Sequence, residues 1–269
     1  TTRLVGSEMC IRDSITHVEG RVDPLADIDT INLELVLADL DSINKRYTRV
    51  AKVAKTKDKD AVAELAVLDK IKPVLEDGRS ARSIEFTEEE QKIVKSLFLL
   101  TTKPILYVAN VAEDEVAEAE SNHYVQEVRN FAAEEKAEVI VVSARAEEEI
   151  AELDDEDKAE FLEALGIEES GLDQLIRAAY DLLGLATYFT AGEQEVRAWT
   201  FKKGIKAPQA AGIIHSDFER GFIRAETVSF EDLDHYGNMH AAKEAGRVRL
   251  EGKDYVVQDG DVMLFRFNV

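Results

Sequence analysis

The chain has 269 residues, enough for two modest domains with their own cores, and its 45% hydrophobic content is that of an ordinary globular protein rather than a disordered one. It carries 33 Lys and Arg against 55 Asp and Glu, a net charge of −22. That balance excludes a general nucleic-acid coat but leaves room for a local basic patch. A single cysteine, Cys10, excludes an internal disulfide framework and a multi-cysteine metal site. No apolar run approaches the roughly 18 residues of a membrane span, and a reducing, cytoplasmic setting fits best.

Residue 1 is Thr, and residues 1–14 have no periodicity and no kinship with the rest of the chain. They read as a foreign segment, in which Met9 and Cys10 carry no functional meaning. Beyond Pro24 a long helix is expected. Val36, Leu40, Ile43, Tyr47, Val50 and Ala54 recur at spacings of three and four and form one apolar seam. Acidic residues lead this helix (Asp27, Asp29, Glu34) and basic ones close it (Lys45, Arg46, Arg49, Lys52, Lys55, Lys57), in the order that suits the helix dipole. After a polar turn at 56–60, Ala61, Leu65, Leu68 and Leu75 mark a second helix that ends near Gly78. Two helices joined so closely should lie antiparallel, giving a hairpin arm over about 27–100 that is either scaffold or a partner-contacting element.

Thr87 and Glu90 form a capping box that opens a third helix, expected to run through Leu100. Pro104 breaks the pattern, and the apolar run 105–109, ending at Asn110, has the length of a buried parallel strand. A helix over about 121–136 should turn Tyr124, Val128, Phe131 and Ala132 inward, and a second buried strand, 139–142, ends at Ser143 and Ala144. Strand, helix, strand is a parallel crossover unit, whose ligands bind beyond the carboxyl ends of the strands, where Asn110 and Ser143 lie. Residues 147–183 read as helical with a break near 166–171. From Thr187 short strands dominate, at 196–201, 221–225, 247–250 and 262–267, with one short helix near Pro208: a small α+β module.

The informative segment runs from Leu106 through Asn110 and Val111 to Glu113. An Asn at a strand end can donate to a purine N7 or accept from an exocyclic amine, and the small Ser143 and Ala144 would let backbone N–H groups approach the same base. By chemistry alone, an Asn in that place is more often a turn former. The pair of loops, however, resembles the base-recognition loops of translation-factor GTPases, Asn-Lys-X-Asp followed by Ser-Ala-Lys, with Val111 in place of the Lys and Glu113 in place of the Asp. Asn-X-X-Glu at this point resembles the YchF/Obg-like ATPase family. The resemblance spans about 15–269, through strings such as Ile31 to Leu40, Thr187 to Thr190, Glu195 to Trp199 and Ala207 to Gly212.

The resemblance implies an incomplete α/β P-loop NTPase domain over 15–185, carrying the helical coiled-coil hairpin as an insertion. A β-grasp TGS domain over 186–269 is to follow. It implies nucleotide binding by Asn110, Val111, Glu113, Ser143 and Ala144, with ATP preferred over GTP because the Asp that selects guanine is replaced. It also implies that His17, in an Ile-X-His-Val context, positions the attacking water. No Gly-x-x-x-x-Gly-Lys-Ser/Thr string occurs, and the family's Asp-X-X-Gly metal loop is absent too. In the family both lie upstream of position 15, so phosphate and Mg²⁺ ligands are expected outside this sequence, and the chain as written should be inactive. Partners implied are the ribosome, through its large subunit, and RNA, through the TGS domain and the arm; neither DNA nor a membrane is expected. A non-catalytic ribosome- or RNA-binding module is the alternative. Lys202, Lys203 and Lys206 form a local basic cluster beside Arg197 and Trp199; it is either an RNA contact or a solvated face, and Trp199 reads better as core than as a base-stacking platform. His235 and His240, near Asp232 and Asp234, are read as part of a surface loop rather than a metal cluster.

Overall fold

The computed structural model describes residues 22–192 and 195–268, so His17 and Cys10 lie outside the described residues. The chain divides into two compact units, 1–174 and 175–269. No helix among the described residues is long and apolar enough to cross a membrane.

The first unit opens with α1 (Pro24–Ala54), which Asp23 caps by accepting from the Ala26 N–H at 3.1 Å. α2 (Lys59–Glu76) starts at Asp58, whose carboxylate accepts from the Ala61 N–H at 2.8 Å. The seam read from the periodicity is present: Val36, Ile43 and Val50 are buried against Ala61, Val67, Leu68, Ile71 and Leu75, with Leu40, Tyr47, Ala54 and Leu65 half-covered. Burying such side chains stabilises the hairpin by about 1.5–3 kcal/mol each. Arg46 and Glu64 tie the two helices together by a two-point ion pair.

One buried member of α1 is not apolar. Asp39 is 3% exposed, and its carboxylate accepts from the Leu100 N–H (2.8 Å), the Thr101 N–H (2.7 Å) and the Thr101 hydroxyl (2.7 Å). Thr101 Oγ1 in turn accepts from the Ala81 N–H at 3.1 Å. This latch gathers three distant stretches of backbone around one carboxylate. α3 (Glu88–Leu97) carries the capping box of Thr87 and Glu90 in both directions. It ends three residues earlier than expected, because Phe98 adopts the left-handed conformation (φ 53°) and Leu99 turns extended.

β1 (Leu106–Asn110) and β2 (Glu138–Val142) form a parallel pair, joined by α4 (His123–Glu135), with Leu106 opposite Glu138 and Asn110 opposite Val142. The expectation that β1 is buried does not hold: none of its residues is buried, and Val108 is 46% exposed. Among the described residues β1 has β2 as its sole neighbour, so one edge and part of its faces are uncovered. On α4 the inward residues are Val125, Val128 and Ala132, packed on the strand pair and its loops; Tyr124, expected inward, is exposed, and Val125 takes the core-facing place beside it. The helical tract that follows breaks twice, into α5 (Ala144–Glu152), α6 (Asp155–Leu165) and α7 (Gly171–Leu182). Asp154 caps α6 and Gly166 ends it at φ 71°.

The second unit is a five-stranded sheet in the order β4-β3-β7-β5-β6. Its strands are β3 (Leu185–Ala191), β4 (Val196–Lys202), β5 (Phe222–Ser229), β6 (Arg249–Glu251) and β7 (Asp261–Phe267). β3 and β7 run parallel and the other neighbours antiparallel. α8 (Ala207–Ile214) packs its Ala207, Ala210 and Ala211 against Tyr188, Phe201, Phe222, Met263 and Phe265. The wholly buried Tyr188 hydroxyl donates to the Ala210 carbonyl at 2.9 Å. α9 (Ser216–Arg220) follows, and α10 (Phe230–Tyr236) and α11 (Met239–Glu244) bring Leu233, Tyr236, Met239 and Ala242 against Phe189, Val228 and Val262. The segment holding His235 and His240 is therefore helical rather than a loop: Ser229 and Asn238 each cap a short helix, and Gly237 at φ 73° separates them.

Candidate functional site

The register of the parallel pair puts the ends of β1 and β2 side by side. The Val111 N–H donates to the Val142 carbonyl at 2.9 Å, which carries the ladder one step past the strand. The Asn110 side chain then crosses to the second loop: its Oδ1 accepts from the Ala144 N–H at 2.9 Å. Ser143, 1% exposed, caps α5 by accepting from the Ala146 N–H at 3.4 Å. Asn110, Val111, Ser143 and Ala144 are thus one hydrogen-bonded constellation, 34 residues apart in the chain at its key bond.

The roles divide clearly. With its oxygen given to Ala144, Asn110 has its two amide hydrogens to offer, and it is half-buried rather than sealed. Val111 is 8% exposed and packs with Ala119 and Val125, so its side chain belongs to the core and its N–H to the sheet. Ala144 is the first residue of α5, whose amino end favours negative charge or an electron-rich ring atom. Glu113, in the 3₁₀ turn after β1, directs its carboxylate at Arg145 Nε, 3.3 Å away, and Arg145 also reaches Glu149 at 3.5 Å. Sequence reasoning missed Arg145, because its pairing with Glu113, 32 residues away in the chain, follows from no local pattern.

Two features stiffen the loops. Glu147 accepts from the Gly171 N–H at 2.7 Å, and a Cβ added at Gly171 would come within 2.7 Å of a Val142 methyl, so only glycine lets α7 begin against β2. At the other end of the pair the Tyr107 hydroxyl donates to Glu135 at 2.7 Å; burial, aided by that carboxylate, pushes its pKa up to about 12.

In the second unit, Lys203 is paired with Asp181 (2.6 Å) and Lys206 with Asp254 (2.7 Å), and the Lys206 contact holds the Asp254 carboxyl below its usual range. Trp199 is half-buried; its ring stacks toward Tyr188, its N–H donates to Thr190 Oγ1 at 2.9 Å, and Arg197 lies 4.1 Å over it.

A parallel strand pair with its loops bonded across their carboxyl ends, a helical hairpin and a separate mixed sheet together make a P-loop-type α/β fold with a TGS-type β-grasp module. Comparisons with known proteins carry this further. Residues 185–268 match the family model YchF-GTPase_C, described as a protein of unknown function (DUF933). The Ribosome-binding ATPase YchF of Bacillus subtilis (strain 168) is 70% identical over 257 residues, which is 96% of this chain and 70% of that protein. The protein of the same name from Escherichia coli O157:H7 is 55% identical over the same coverage. Among solved structures, the Schizosaccharomyces pombe YchF GTPase superposes with a TM-score of 0.81 at 34% identity, covering 94% of this chain and 68% of that one. A GTP binding protein from Pyrococcus horikoshii OT3, 20% identical with a TM-score of 0.55, shares the fold, over 91% of this chain and 72% of its own. The chain belongs to the YchF family.

Proposed function

We propose that the chain is the base-recognition and TGS-bearing part of a ribosome-associated, cytoplasmic ATPase. The observation that supports this reading most is the Asn110 to Ala144 hydrogen bond, which leaves the Asn110 amide hydrogens for the N7 of a purine. Both adenine and guanine carry N7, so that bond sets ring position rather than base identity. Identity would rest on the second loop position. In the GTPase pattern an Asp accepts from guanine N1 and N2; here the longer Glu113 takes its place, and one of its carboxylate oxygens faces Arg145 Nε at 3.3 Å. ATP is therefore the preferred nucleotide, with GTP weaker. Val111 anchors the loop, and Ser143 and Ala144 supply the small residues and backbone against the ring.

ATP with Mg²⁺ would supply the phosphoryl chemistry. The base-binding residues fit the purine end of that ligand. The sequence holds no Gly-x-x-x-x-Gly-Lys-Ser/Thr string of the kind whose loop cradles phosphates, and His17, the residue assigned to the attacking water by resemblance, lies outside the described residues. The chain taken alone is thus expected to bind adenine nucleotides weakly and to hydrolyse them negligibly. The functional division we adopt is 15–185 for the nucleotide-binding domain, with residues 1–14 foreign to it, and 186–269 for the TGS domain. The relatives' printed name supports ribosome binding; contact with the large subunit and with RNA is our reading.

The deciding measurement is nucleotide titration of a full-length form. ATP should bind more tightly than GTP, and Glu113→Asp combined with Arg145→Ala should narrow or invert the ratio. Tighter GTP binding by the unaltered protein would overturn the assignment of base preference.

A further inference from the structure

The two faces of the second unit's sheet are covered unequally. α8 closes one of them along Tyr188, Phe201, Ala225, Met263 and Phe265. On the other, α10 and α11 cover a single row, Phe189, Val262 and Val228, in which Val262 is paired with both neighbours. Side chains alternate along a strand, so the next row on that face lies two residues further on. It reads Val196, Ala191, Leu264, Glu226 and Leu250 across β4, β3, β7, β5 and β6. Val196 is 74% exposed, Leu250 63% and Leu264 38%, with Ala191 exposed between the first and the last of these strands' neighbours. An apolar row therefore crosses the whole sheet without a helix on it.

The margin of that row breaks two local rules. Arg224 stands directly opposite Arg266, and like charges facing each other across an antiparallel pair are destabilising. The register also slips between Phe222 and Arg224, so Ile223 is the extra residue of a bulge and lies exposed beside them. Bulges re-aim side chains and are concentrated at functional edges. Arg266 turns back onto Glu226, to which its Nε and Nη2 donate at 2.9 Å each, and Lys243 approaches the same carboxylate at 4.0 Å. Arg224 is exposed and has no carboxylate partner among the described residues. The nearby Glu251 and Asp261 face the other side of the sheet, where Arg249 meets both. Three cations around one carboxylate make this margin positive in a chain of net charge −22, and screening over about 8 Å at physiological salt keeps that surplus local.

Apolar side chains with arginine at the rim are the composition of a protein interface. Nucleic acid fits poorly: the row offers no aromatic ring for a base to stack on, and Glu226 stands inside it against any phosphate. Five strands spaced about 4.8 Å apart make the row about 19 Å long. A helix rises about 5.4 Å per turn, so one turn matches one strand and about 13 residues span the row. We propose that this row seats an amphipathic helix of a partner protein. Apolar residues on successive turns would rest on Val196, Ala191, Leu264 and Leu250, and acidic residues along one flank would meet Arg224 and Arg266. Every residue involved lies in the second unit, so such docking is independent of the nucleotide assignment.

The experiment pans a phage library of helical peptides of about 14 residues on the 269-residue chain, after depletion on a variant carrying Leu250→Asn and Leu264→Asn. Recovered peptides should carry apolar residues at spacings of three and four, with Asp or Glu along one flank. Labelled with fluorescein and titrated by anisotropy, they should bind Arg224→Gln roughly tenfold more weakly, as loss of one charge-assisted contact implies. The same substitution relieves the repulsion with Arg266, so the melting temperature should hold or rise while binding falls. Peptides with Lys in place of the acidic flank should regain affinity for Arg224→Glu, a rescue that decides the matter even where a substitution lowers the melting temperature. Panning that yields no peptide able to tell the parent from the depleting variant overturns the proposal. So do recovered peptides that lack acidic residues or bind Arg224→Gln undiminished. A labelled RNA hairpin that binds more tightly than every recovered peptide, and is weakened equally by Arg224→Gln, would make the partner a nucleic acid and overturn it too.

Discussion

The two sheets of this protein are built to different degrees of closure. The five-stranded sheet of the second unit has helices on both faces, and its central residues, Tyr188, Val228 and Met263, are at most 1% exposed. The parallel pair of the first unit has no buried residue in β1 and leaves Val108 at 46% exposure. Strands of parallel sheets are ordinarily covered on both faces and paired on both edges. The lesson is that the second unit packs helices on both faces of its sheet, whereas the first covers its strand pair on the α4 side through Val125, Val128, Ala132 and Val139 and adds specific polar bonds at the strand ends.

That contrast can be broken by mutation, beginning where the effect is largest. Tyr188→Ala removes a wholly buried ring and leaves the Ala210 carbonyl without its donor, and should cost the second unit about 3–5 kcal/mol in urea unfolding. Asp39→Ala strands the Leu100 and Thr101 donors inside the first unit and should cost about 2–4 kcal/mol; a loss below about 0.5 kcal/mol would mean the latch is ornamental. Thr87→Ala removes one half of the capping box and should cost about 1 kcal/mol, read from the same unfolding curves. Val108→Thr should change stability by no more than about 0.5 kcal/mol, as expected for an exposed strand position; a core-sized loss would show that β1 is covered in solution.

Alkaline pH sharpens the same comparison without mutation. Burial raises the phenol of Tyr188 well above its ordinary value of about 10, and raises Tyr255 and Tyr107 to about 12 each; carboxylates of Asp261 and Glu135 add to the last two. A raised folded-state pKa favours the neutral phenol, so its stabilising effect is complete below pH 10 and is lost as pH climbs from there toward the folded value. Two of the three groups lie in the second unit, which should therefore show the steeper fall in melting temperature above pH 10, tracked together with phenolate absorbance.

Much of this was legible in the sequence, and what was not has definite causes. The α1 seam, the Thr87 capping box and both strands of the parallel pair follow from spacing alone, because each is a local pattern. Asp39 was not legible: its donors lie 61 and 62 residues away, and an Asp within a helical period reads as solvent-facing. β3 escaped as a strand, since Tyr188 and Phe189 bury against opposite faces and leave no polar alternation to see. α10 and α11 escaped because six or seven residues hold too few turns for a 3.6-residue period to declare itself. At the candidate site, the sequence put Asn110 and Ala144 at the ends of adjacent strands but did not say which atom of the amide faces which neighbour, and it gave no hint that Glu113 leans on Arg145.

The Asn110 amide holds the architecture with one atom and faces outward with another. Replacing it by Asp keeps the oxygen that Ala144 requires and deletes the hydrogens, so the two loops should stay assembled while any acceptor on a ring goes unmet. Replacing it by Ala removes both at once. A survey using alanine alone would file this position under folding, and the isosteric swap is what tells the joinery from the grip.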